Sequence, residues 1–134
     1  MIIGIGNDYI DIRRIEKAIN RFGERFINRV FTENEKMKAN KRAANQKSFV
    51  STYAKRFAAK EACSKALGTG IAKEVSWQDI EVVNLPSGQP ILNLYGGAAR
   101  RLKELTPEGY SARLNITLSD DYPKAQAIVI ISAE

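Results

Sequence analysis

Two acidic residues far apart in the chain, Asp8 and Glu61, stand where a carboxylate could do chemistry. Glu61 lies in the run Arg56-Phe57-Ala58-Ala59-Lys60-Glu61-Ala62-Cys63-Ser64-Lys65-Ala66, which reads as helix. At about 100° per residue Glu61 falls about 20° from Ala54 and about 40° from Phe57, on the apolar stripe. A carboxylate there is costly unless it is paired or metal-bound. Lys65, one turn on, offers the ordinary pairing at i,i+4, worth roughly 0.2–0.5 kcal/mol. Asp8 ends the apolar segment Ile2 to Asp8, in Gly4-Ile5-Gly6-Asn7-Asp8. An aspartate at a strand end is a turn or cap residue, or a ligand. Gly4 and Gly6 admit a ligand or another backbone at close range. Two such carboxylates, if they converge, suit Mg²⁺ completed by phosphate oxygens and water. A dinucleotide fingerprint is excluded, because Tyr9 stands where its third glycine belongs.

What is missing narrows the chemistry further. The 134 residues contain no histidine and one cysteine, Cys63. There is then no Ser-His-Asp triad, no Cys-His pair and no histidine proton shuttle. A tetrahedral zinc site has no ligand set. Acid-base work falls to carboxylates, lysines or metal-bound water. Cys63 reads as a small buried hydrophobe, and a single unpaired thiol points to a reducing, cytoplasmic compartment. With 44% hydrophobic and 27% charged residues, the composition is that of one globular domain, residues 1–134. No apolar run reaches the ~20 residues of a membrane span, and the N-terminus has no basic segment or cleavage site of a leader.

The net charge of +6 is unevenly spread. Residues 13–73 carry 16 bases against 5 acids, while residues 74–134 carry 5 against 8. Such an electropositive half attracts polyanions. Arg13, Arg14, Lys17, Arg21, Arg25 and Arg29 form one basic group, the last four at four-residue steps. It is either a solvated face or a docking face for an acidic helical partner. Lys47, Lys55, Arg56 and Lys60 form a second group, either a wet side or a phosphate-holding one. A nucleic-acid-binding module without catalysis is the alternative from another class. No aromatic-rich strand or groove-reading motif accompanies the charge, which argues against it. A non-catalytic adaptor for an acidic carrier is a third reading.

The elements that must position these residues follow from periodicity. Ile2 to Asp8 reads as a strand, with Asp11 capping a helix whose core stripe is Ile15, Ile19, Phe22 and Phe26, broken or bent at Gly23. Thr32 and Glu35 have capping-box spacing. Lys38 to Gln46 is polar, a frayed helix end or a loop. A long central helix runs from about Lys47 to Leu67 and stops at Gly68; Gly68-Thr69-Gly70 is a helix cap with room for a ligand. Trp77 to Asn84 and Ile91 to Tyr95 read as strands turned at Pro86 to Pro90. Ala98 to Leu105 is a short helix. Ala112 to Leu118 and Ala125 to Ser132 are closing strands, turned at Ser119 to Pro123. The class is α+β with a largely antiparallel sheet.

The segments Ile5-Gly6-Asn7-Asp8-Tyr9-Ile10-Asp11-Ile12-Arg13-Arg14-Ile15-Glu16, Arg56 through Gly70 and the turn Gly88-x-Pro90 resemble, in that order, the holo-acyl-carrier-protein synthases. These are the small, stand-alone class of phosphopantetheinyl transferases. The resemblance implies transfer of phosphopantetheine from coenzyme A to a serine of an acidic acyl carrier protein, with release of adenosine bisphosphate. It implies Asp8 and Glu61 as Mg²⁺ ligands, and Lys65 near the reacting phosphate. Lys47, Arg56, Lys60 and Gly68, Thr69 and Gly70 match regions that contact coenzyme A. The helix bearing Arg14, Arg21 and Arg25 is similar to the carrier-protein docking site. A homotrimer with active sites between subunits is implied as well. Many relatives have a histidine near the position of Asp120, which leaves that residue's role open. The serine proton would go to Glu61 or to a metal-bound water.

Overall fold

The computed structural model describes all residues from Met1 to Glu134. The first strand, β1 (Ile2–Asp11), outruns its expected end because it finds a partner along its whole length. Asp8 pairs with Ala127 and Asp11 with Lys124. Asp11 then caps α1 (Ile12–Phe22), accepting from the Arg13 amide. Gly23, at φ 56, breaks the helix, and α2 (Glu24–Val30) follows in a new direction. Ile12, Ile15, Ile27 and Val30 are buried, whereas Phe22, expected in the stripe, is exposed at the break. The Thr32–Glu35 capping box forms with both of its bonds at the start of α3 (Glu33–Asn40). Asn45 caps α4 (Gln46–Ala66), the central helix.

Beyond α4, Trp77–Asp79 is one turn of 3₁₀ helix rather than strand, because Asp79 turns back to accept from the Ser76 amide. Then come β2 (Ile80–Asn84), β3 (Pro90–Leu94), α5 (Gly96–Leu105), β4 (Ala112–Asp121) and β5 (Lys124–Ala133). The expected antiparallel pairing holds, but the strands divide into two sheets, β1-β5-β4 and the hairpin β2-β3. Ser119 to Asp121 belong to β4, not to a turn; only Tyr122 and Pro123 lie between the strands.

The core lies between α4 and the three-stranded sheet. On β5, Ala125, Ala127, Val129, Ile131 and Ala133 face inward and are buried. The alternate residues, among them Ile128 and Ile130, face out beside Ile5 and Tyr9, which are 61% and 65% exposed. The inward face of β1 carries Gly4 and Gly6 for a steric reason. A Cβ on Gly6 would stand 1.7 Å from the Ala62 carbonyl oxygen, and one on Gly4 2.2 Å from that of Ala66. The close approach that the glycines permit is thus made by the helix backbone. It fixes the register of β1 on the last turns of α4. Gly6→Ala is expected to force strand and helix apart and to destabilise the protein by about 1–3 kcal/mol or more, read as a lower urea midpoint.

Candidate active site

Because Gly6 touches Ala62 and Gly4 touches Ala66, the next inward residue of β1, Asp8, reaches the face of α4 that carries Glu61 and Lys65. The Lys65 ammonium donates to Asp8 Oδ1 at 2.9 Å and to the Asn7 carbonyl at 3.2 Å. The i,i+4 pair with Glu61 does not form; Lys65 crosses to the strand instead. Glu61 is half-buried on the same side. Burial raises its pKa above the usual 4.5, the negative charge of Asp8 raises it further, and Lys65 and Arg14 draw it down. Asp8, Glu61, Lys65 and Arg14 therefore share one electrostatic neighbourhood, which for the first three only the family resemblance had implied. The reading of Glu61 as a core-facing residue needs moderating: it stands at the rim of the helix's buried side.

No three acidic, cysteine or histidine side chains lie together so that they alone could hold a metal ion. The protein can offer two carboxylates to a hard cation. That donor set fits Mg²⁺ only with oxygens from a bound ligand and water completing the shell. The position already attracts a cation, since Lys65 rests on Asp8.

Lys60 corrects the sequence reading. Its side chain is 0% exposed, pairs with the equally buried Glu35 at 2.8 Å, and donates to the carbonyls of Trp77 (3.0 Å) and Ile80. A lysine so enclosed ties α4 to α3 and β2 and cannot touch a ligand. Gly68 and Gly70, at φ 77 and 66, end the helix as expected, with the amides of Thr69 and Gly70 both donating to the Ser64 carbonyl. A cavity of about 340 Å³ opens beside Thr69, Lys73 and Glu74. Lys47 is exposed on the first turn of α4, its ammonium 4.8 Å from the centre of the Tyr122 ring at the hairpin tip.

Arg56 marks a second site on α4. It is only 3% exposed, yet it borders a cavity of about 210 Å³ with Lys38, Arg42, Lys55, Asn84 and Pro90. Its guanidinium donates to Asn84 Oδ1 at 2.7 Å, while its Nε, equally enclosed, has no partner. Lys38 is held below the usual lysine pKa, first by burial and then by the charges of Arg42 and Arg56. A bound anion would relieve that crowding. Lys55 also pairs with Asp120 at 3.4 Å. Lys38 and Arg42 escaped the sequence reading, which took this polar stretch as a frayed helix end or a loop; their signal was five cations from Lys36 through Lys47 with no acid among them.

The first basic group is divided by Gly23 between α1 (Arg13, Arg14, Lys17, Arg21) and α2 (Arg25, Arg29). All six are exposed. Arg13 is engaged with Asp11 at 2.6 Å. A cavity of about 240 Å³, lined by Phe22, Arg25, Phe26 and Arg29, bridges the break between the helices. Basic residues thus line two cavities, one beside Arg25 and Arg29 and one beside Arg42 and Arg56. No helix is long and apolar enough to cross a membrane.

Comparison with known proteins identifies the family. The 4'-phosphopantetheinyl transferase superfamily profile matches residues 4–126. A holo-[acyl-carrier-protein] synthase from a Bradyrhizobium species is 64% identical over 133 residues, covering 99% of this chain and 96% of its own length. The crystal structure of such a synthase from Neisseria meningitidis superposes with a TM-score of 0.82 at 34% identity, covering 98% of this chain and 99% of that one. The Bacillus anthracis synthase, solved in complex with coenzyme A (3',5'-ADP), gives a TM-score of 0.77 at 38% identity, covering 98% and 96%. With Asp8, Glu61 and Lys65 gathered where β1 meets α4, this chain belongs to the 4'-phosphopantetheinyl transferase superfamily, among its holo-[acyl-carrier-protein] synthases.

Proposed function

We propose that this protein transfers the phosphopantetheine arm of coenzyme A to a serine of apo acyl carrier protein with the help of Mg²⁺, releasing adenosine 3',5'-bisphosphate. The observation that carries the reading is the convergence of Asp8 with Glu61 and Lys65, the last 57 residues further along, in a chain of this family. Asp8 and Glu61 would hold the cation, which when bound neutralises charge on the diphosphate. Lys65, beside Asp8, would reach the same phosphates and stabilise charge on the departing bisphosphate. The serine oxygen forms a new bond to the β-phosphorus, and the bond from that phosphorus to the bridging oxygen breaks. The electron pair leaves with the bisphosphate. With no histidine in the chain, the serine proton would go to Glu61 or to a metal-bound water.

Helix geometry bears on how coenzyme A would lie. Arg56 and Lys65 are nine residues apart, roughly 13 Å along the axis and about 180° around it. A single coenzyme A could not use the basic cavity and the carboxylate site of one chain without passing around α4. Two chains remove the difficulty if one supplies the Arg56 cavity and its neighbour the Asp8–Glu61 pair. The open face of the β1-β5-β4 sheet, with Ile5, Ile128 and Ile130, offers a surface through which subunits could join, which supports a homotrimer with shared sites. Arg56→Gln is expected to raise the KM for coenzyme A about tenfold or more with kcat little changed, measured by steady-state transfer kinetics.

The exposed arginines of α1 and α2, with the Phe22–Phe26 cavity between Arg25 and Arg29, suit an acidic helix that carries an apolar side chain. The holo carrier would serve fatty acid synthesis in the cytoplasm, a reducing setting that suits the buried, unpaired Cys63. The test is incubation with apo carrier protein, coenzyme A and Mg²⁺. A gain of one phosphopantetheine mass on the carrier serine, lost on chelation, is expected; an unmodified carrier would refute the assignment.

A further inference from the structure

The Lys65–Asp8 contact does more than join a helix to a strand. The ammonium rests against two oxygens of adjacent β1 residues, Asp8 Oδ1 and the Asn7 carbonyl, and leaves Glu61 without a cationic partner within bonding distance. Asp8 is largely shielded, while Lys65 is 52% exposed and reaches it along a four-methylene stem. The same carboxylate is wanted by a divalent ion, and the protein supplies no third acidic ligand to strengthen its hold. A dication arriving at Asp8 meets a positive charge already bound there.

We propose that Lys65 competes with the divalent cation for Asp8, so that the ion is held weakly until a diphosphate draws the ammonium away. This rests on the reading of Asp8 and Glu61 as the cation site and adds to it an order of events. The diphosphate supplies the missing oxygen ligands and an alternative anion for Lys65 at once. Cation and diphosphate then favour each other's binding by the same factor. The half-exposed stem lets Lys65 move without disturbing the core, so the exchange needs no backbone rearrangement.

Titration of the full-length protein with Mn²⁺, followed by the electron paramagnetic resonance of the free ion, tests this without reference to activity. In the absence of coenzyme A, Lys65→Met is expected to bind Mn²⁺ roughly five- to tenfold more tightly than the natural protein. Lys65→Arg, which keeps the charge, is expected to bind as the natural protein does. Saturating coenzyme A should raise the affinity of the natural protein more than that of Lys65→Met, closing the gap. Equal Mn²⁺ affinities without coenzyme A, at a site that Asp8→Asn abolishes, would overturn the competition and leave the cation site standing. An absence of Mn²⁺ binding in every variant, with and without coenzyme A, would overturn both.

Discussion

Replacing Glu61 by glutamine, or Asp8 by asparagine, is expected to lower phosphopantetheine transfer by at least about a hundredfold, as loss of a ligand exceeds the 10–100-fold loss typical of its supporting partners. Neither change should harm the fold. Asp8 gives up a contact with a half-exposed lysine, and such pairs contribute about 1 kcal/mol or less. Glu61 carries a charge that its surroundings disfavour, so an amide of the same shape fits at little cost. Transfer assays beside thermal unfolding separate the two effects. Melting near that of the natural protein with transfer lost supports the site. Transfer retained in both variants removes the proposed cation site.

The largest effect on stability is expected at Lys60. Lys60→Met would leave the Glu35 carboxylate buried without its cation, which costs about 3–5 kcal/mol. The residual bonds of Glu35, from the amides of Thr32 (2.9 Å) and Val82 (2.8 Å), cannot replace a full charge. The carbonyls of Trp77 and Ile80 would lose their donor too. Adding Glu35→Gln should recover part of the loss, because a neutral amide oxygen can still accept from Val82. Urea unfolding of the single and double variants checks this. The enzyme that remains folded should show an unaltered KM for coenzyme A, which distinguishes an internal strut from a ligand contact. A Lys60→Met protein as stable as its parent would show that the pair holds nothing together.

Lys60 also shows where the sequence runs out. Alternation locates β1 and the closing strands, because each buries one face, and length with a glycine stop locates α4. The α4 helix is enclosed on several sides by β1, β5, α3 and β2, so its buried set wraps around it and includes Arg56, Lys60 and Ser64. A wheel built on one apolar stripe assigns Glu61 to the core, and the family resemblance assigns Lys60 to the ligand; packing leaves Glu61 half-buried and encloses Lys60 completely. Asp8 and Glu61 were legible as a pair only through the family motif. What joins them in space is the absence of side chains at Gly4 and Gly6, and that becomes meaningful once Ala62 and Ala66 are seen lying over them. The pairing of Lys65 with Asp8 rather than Glu61 is likewise tertiary: β1 offers two oxygens, which local spacing along one helix does not reveal. The split of one expected sheet into two follows from Ser76 and Asp79, whose bond turns the chain before β2 can join the larger sheet.

The most direct measurement is the anomalous diffraction of Mn²⁺ in crystals grown with coenzyme A. The account predicts one peak per site, bounded by the carboxylates of Asp8 and Glu61 and by the diphosphate, with the adenosine phosphates reaching Arg56 of a neighbouring subunit and Lys65 turned from Asp8 to phosphate. A diphosphate bound elsewhere, or a peak that leaves either carboxylate out of coordination, would contradict it.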